Sequence, residues 1–270
     1  MSVGANIDGF VIRSKKNFHT DNAKFCIAEW VSTVYLISMS VHEFKPRKPK
    51  NKPPREPMFN IEDPAPFVLA AILVLCYLGF VLAGTSFQDF AREAGSLFAS
   101  EGRVLFSQRP LGSISTLVTH VLLHADWSHV LINAVFICIF GILTIRGVKN
   151  KHKSIFGFLR RGPVVFLAVF IIGAIGGGLL QWLYWGVFSL TGVAVGASTG
   201  GSALFATAAW AIGGRDRLMT FGLFVVGFDV INLLMGGNVA WAAHLGGYLT
   251  GAALAILWVN PNSADMRSFR

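Results

Sequence analysis

Residues 195–212 read VGASTGGSALFATAAWAI. The run carries no charge, and Gly, Ala, Ser and Thr far outnumber Leu, Ile and Phe. A helix facing lipid normally carries large apolar side chains, whereas small ones let neighbouring backbones approach closely. The run therefore reads as a helix enclosed by other helices, and the flanking sequence supplies them. A spanning helix needs about 20 mostly apolar residues. Five further blocks fit that pattern: 66–84, 129–145, 163–187, 219–235 and 239–259. The expected fold is all-α, a six-transmembrane-helix bundle with 195–212 as its fourth and central span.

Composition agrees with a membrane solvent. Of 270 residues, 53% are hydrophobic and 14% charged, against about a quarter charged in soluble domains. The charge is missing from whole blocks, as spans require. A net charge of +9 would suggest nucleic acid only if the basic residues formed a patch on a folded domain. They sit instead in short loops beside apolar blocks, so no nucleic-acid partner is expected. Lys45, Arg47, Lys48, Lys50, Lys52 and Arg55 precede the first span, and Arg146, Lys149, Lys151, Lys153, Arg160 and Arg161 follow the second. Arg215 and Arg217 follow the fourth, and Arg267 and Arg270 follow the sixth. Loops of the other parity hold only Arg92, Arg103 and Arg109. The positive-inside rule then places both termini in the cytoplasm. Three parts are expected: a basic, partly disordered N-terminal segment (1–62), the membrane domain (63–260) and a short cytoplasmic tail (261–270). The outer segment 85–115 mixes Phe87, Phe90 and Phe98 with charges; it reads either as an interfacial segment or as a solvated loop. Cys26, Cys76 and Cys138 form an odd set without metal-ligand spacing, and no disulfide framework is indicated.

Polar side chains inside spans are costly and call for a reason. Ser198 opens the fourth span, flanked by Gly196, Gly200 and Gly201, which allow close backbone approach. A helix N-terminus leaves amide N–H groups free to bind an anion. Serine in such a helix is also common packing glue. His244 begins the sixth span, and Gly247 and Gly251 share its face at i+3 and i+7. An imidazole there is either a general base or a structural bridge. Both spans start outside, so Ser198 and His244 lie at similar depth, where a base could activate the hydroxyl. His129 and Asn133, four apart at the start of the second span, reach the same level as candidate oxyanion donors. A metal site built from His120, His124 and His129 is disfavoured, because no Glu accompanies them and the spacing does not converge. Neither metal nor cofactor is expected. Asp229 and Asn232 could pair with each other, anchor the next loop, or hydrogen-bond near His244. A structural use is favoured, and both stay outside the dyad.

Taken in order, His129-x-x-x-Asn133, Gly196-x-Ser198 and Ala243-His244-x-x-Gly247-x-x-x-Gly251 resemble the motifs of rhomboid intramembrane proteases over roughly 66–259. The resemblance implies Ser198 as nucleophile, His244 as base, and His129, Asn133 and the Ser198 amide as the oxyanion site. His124 matches a recurrent family histidine of structural role, and Gly196, Gly247 and Gly251 serve packing. Implied substrates are single-span proteins cleaved in or near the membrane at small residues beside helix-weakening sequence, and the implied location is a bacterial inner membrane. Two departures stand out: Thr199 follows the serine where the family usually has Gly, and Ser115-Thr116 replaces a common Trp-Arg pair. The competing readings are a catalytically inactive rhomboid-like binder of membrane proteins and a small transporter.

Overall fold

The computed structural model describes residues 6–7, 10–11, 63–103, 110–148 and 161–264. The chain divides into two units, Met1–Pro54 and Arg55–Arg270. In the first, β1 (Asn6–Ile7) pairs antiparallel with β2 (Phe10–Val11). The expected disorder over most of 1–62, the loop lysines at 149–153 and the tail beyond 264 lie outside the described residues.

The second unit is built from α1 (Ala65–Leu82), α2 (Thr85–Gly95), β3 (Leu97–Ala99) and α3 (Pro110–Thr119). A single 3-10 turn, His120–Leu122, leads to α4 (Trp127–Gly147) and α5 (Gly162–Val187). Strand β4 (Gly192–Ala194) precedes α6 (Ser198–Leu234) and α7 (Trp241–Trp258). By length and apolar composition α1, α4, α5 and α6 suffice to cross a membrane. Helix α7 falls outside that set, since His244 and its glycines dilute its apolar content. The helices bury one face and leave large apolar side chains outward, among them Leu75, Leu183, Phe224 and Leu257, each at least 60% exposed. Water would penalise such a surface; hydrocarbon does not.

Helix α6 is two rods. Gly213 and Gly214 leave helical geometry, Gly214 with φ 58°, a left-handed conformation open to glycine. Phe205 and Phe221 stack with centroids 4.7 Å apart. A continuous helix would hold them about 24 Å apart. The chain therefore folds back at the Gly-Gly pair, and 198–212 and 215–234 run antiparallel. The Tyr248 hydroxyl donates to the Leu218 carbonyl and pins the second rod to α7.

One expectation is amended. Within an otherwise helical unit, β3 and β4 form an antiparallel ribbon, with Leu97 opposite Ala194 and Ala99 opposite Gly192. Leu97 and Ala99 are fully buried while Phe98 is exposed, the alternation of a half-buried strand. Three residues are too few for that alternation to be separated from loop in the sequence. Ahead of the ribbon lies α2, which has no buried residue and carries Arg92 over the ring of Phe80 at 5.2 Å.

Candidate active site

The site sits where α6 begins, and the backbone there is held from outside its own helix. Gly196 donates its N–H to the His120 carbonyl at 2.9 Å. The Ala197 N–H points at His124 Nε2, 3.4 Å away. Burial, and then the neighbouring His129, hold the His124 imidazole down at about 4, so the ring is neutral and keeps a lone pair for that amide. His120 is 1% exposed. Its Nδ1 faces the Thr116 carbonyl at 2.8 Å and so carries the proton, leaving Nε2 to accept from the Thr199 hydroxyl at 2.9 Å. The segment 120–124 thus clamps 196–199 on both sides of Ser198. Buried non-helical backbone needs partners from the protein, and these bonds supply them.

Gly196 has φ +121°, and a Cβ on it would stand 2.7 Å from His129 Cε1. The His129 ring therefore packs on the backbone two residues before Ser198. Asn133 is buried and donates one amide hydrogen to the His129 carbonyl at 2.9 Å, which leaves its second hydrogen for another acceptor. No side chain caps α6, so its first-turn amides, Ser198 among them, lack a capping partner.

Helix α7 brings the imidazole. A Cβ on Gly247 would meet the Thr199 carbonyl oxygen at 2.2 Å, and one on Gly251 the Ala203 oxygen at 2.3 Å. On the opposite side Gly177 faces the Ala243 carbonyl, its Cβ position 2.5 Å away. Gln181, 3% exposed, accepts the Ala243 N–H at 3.0 Å. Three helices meet through glycine faces, and His244 Nε2 lies 2.9 Å from Ser198 Oγ. His244 Nδ1 lies 2.8 Å from Asp229 Oδ1 on the rod 215–234. The histidine side chain is 17% and the aspartate 7% exposed.

Asp229, His120 and Thr199 add to the residues that the sequence singles out for the site. The sequence leaves Asp229 outside the dyad, although depth matching points to it: it lies about as far from the end of its helix as His244 from the start of the next. The sequence offers His120 only as a metal ligand. Thr199, noted as a departure, is the partner of His120. Among the described residues no three His, Cys, Asp or Glu side chains converge as metal ligands.

These features describe an integral helical membrane protein with a serine and a histidine in contact across two of its helices. The Rhomboid domain matches residues 111–261, more than half of the chain. The protein belongs to the rhomboid family, whose members are generally intramembrane serine proteases acting on transmembrane substrates. No curated protein matches it.

Proposed function

We propose that this protein is an intramembrane serine endopeptidase in which Ser198 is the nucleophile and His244 the general base. The observation that carries the reading is the 2.9 Å contact between Ser198 Oγ and His244 Nε2, two groups from separate helices. Hydroxyls are poor nucleophiles until a base takes the proton, and a base must lie within hydrogen-bond reach to do so. In the proposed reaction Oγ adds to the scissile carbonyl carbon while its proton moves to Nε2. The Ser198 amide, the free hydrogen of Asn133 and His129 form the oxyanion site. Collapse of the tetrahedral intermediate expels the amine, protonated from Nε2, and water then hydrolyses the acyl-enzyme by the reverse roles.

Counting the two rods of α6 and α7 with α1, α4 and α5 gives six spans, and the loop charges orient them with both termini cytoplasmic. The domain limits 63–260 and a bacterial inner-membrane location belong to the same proposal. The rod 198–212 is about 22 Å long, short of the roughly 30 Å hydrocarbon core. Its first residue would therefore lie below the outer surface, reached by water through the protein. Substrates would be single-span proteins, whose helical hydrogen bonds must open locally before the carbonyl is exposed to attack. No metal or cofactor enters the chemistry.

Purified protein in proteoliposomes should cleave a model single-span substrate and react at Ser198 with a fluorophosphonate, and Ser198→Ala should do neither. Equal cleavage by the two proteins would remove Ser198 from the mechanism, and no cleavage by either would favour an inactive membrane-protein binder.

A further inference from the structure

Resting on the proposed dyad, we infer that Asp229 is a positioning residue for His244, so that the site works as a Ser198–His244–Asp229 relay assembled from both rods of α6 and from α7. A carboxylate only accepts hydrogen bonds, so the 2.8 Å contact from Oδ1 fixes the proton of His244 on Nδ1. The lone pair of Nε2 then faces Ser198 Oγ at 2.9 Å, which is the tautomer that proton abstraction needs. When Oγ bonds to the carbonyl carbon, its proton moves to Nε2 and the carbonyl π pair moves onto oxygen. The imidazolium so formed lies against Asp229, which stabilises it and takes no proton itself. The proton leaves Nε2 with the departing amine, and Asp229 ends as it began.

The neighbouring side chains make the choice of partner informative. Thr220 and Asn232, on the same rod, donate to carbonyls of their own helix, those of Asp216 and Phe228. Asp229 reaches across to another helix. Its side chain is 7% exposed, and a carboxylate placed so deep in a span is costly unless it has a partner and a use. Asp229 Oδ1 is the hydrogen-bond partner of Nδ1, and Gly247, one turn along α7 from His244, sets that helix against the Thr199 carbonyl of the first rod.

The test uses the full chain in proteoliposomes, with Asp229→Asn and Asp229→Glu beside wild type and Ser198→Ala. Asparagine keeps the size and can hold the ring in place, but it neither enforces the tautomer nor stabilises the cation. The expected result is a fall in kcat of about a hundred-fold or more with KM within two-fold, and partial recovery with glutamate. Fluorophosphonate labelling should slow to a similar degree yet reach the same end point. A merely structural latch would instead lower the labelled fraction at the end point and leave the rate of the folded molecules unchanged. Nitrogen NMR of the wild-type imidazole should show the proton on Nδ1 of His244, a readout that survives even if the variants fold badly. An Asp229→Asn enzyme within two-fold of wild type in kcat, or an Nε2-protonated resting imidazole, overturns the relay. If that happens while Ser198→Ala is dead, the dyad stands without Asp229; if Ser198→Ala still cuts, the proposed dyad itself has failed.

Discussion

Alanine at Gly247 should part the two halves of the dyad without touching either. The added Cβ would stand 2.2 Å from the Thr199 carbonyl oxygen and 3.0 Å from its carbon. Nonbonded carbon and oxygen need roughly 3.2 Å, so α7 and the rod 198–212 must separate by about 1 Å. The obstacle is backbone, which cannot rotate away as a side chain could. Gly247 lies one helical turn from His244, and Thr199 is bonded to Ser198, so the displacement reaches the site almost undiminished. A contact of 2.9 Å would open to about 3.9 Å, beyond hydrogen-bond reach. A misplacement of that size costs on the order of 100-fold in rate, with about 1–3 kcal/mol of stability lost to overpacking. The rate constant for fluorophosphonate labelling reads the first effect and thermal unfolding in detergent the second. Gly201→Ala is the matched control, because a Cβ there meets nothing within 4 Å. It should label at the wild-type rate and be up to about 1 kcal/mol more stable from helix propensity. A Gly247→Ala protein with wild-type labelling and melting would refute the claim that this glycine contact sets the dyad distance.

Thr199→Val removes the hydroxyl that satisfies His120 Nε2, 2.9 Å away in a fully buried setting. Leaving that nitrogen unpaired should cost about 1–3 kcal/mol, read as a lower melting temperature, with slower labelling as the clamp on 196–199 loosens. Asp126 caps α4: the Ser128 hydroxyl and then the His129 N–H hold its carboxyl below the usual carboxylate range. A depressed folded-state value means that the cap stabilises at neutral pH and is lost as pH falls through that value. Asp126→Ala should therefore melt below wild type at pH 7, and the gap should close on acidification. A gap independent of pH would show that the charge plays no part.

Much of the site's outline was legible because the membrane restricts composition. Ser198, His244, His129 and Asn133 stand out as polar groups at span starts, and spacing alone puts Gly247 and Gly251 on the face of His244. Crowding at the glycines was only partly legible. Gly196, Gly200 and Gly201 looked alike in the chain, yet a Cβ would strike His129 at the first, Phe170 at the second and nothing at the third. Which glycine faces a neighbour depends on how far the helix is rotated about its axis, and the packing of other helices sets that angle.

The sequence by itself determined a helical membrane protein, because hydrocarbon leaves few choices of residue and none of unpaired backbone, and its motifs carried the resemblance to the rhomboid family. Tertiary structure alone decided the rest: the ribbon from Leu97 to Ala194, the His120–Thr199 bond and which of its open partners Asp229 takes. Each is a meeting of groups remote in the chain, and the relative tilt and rotation of packed helices governs such meetings. Periodicity along one helix carries no record of the angle at which the next one crosses it.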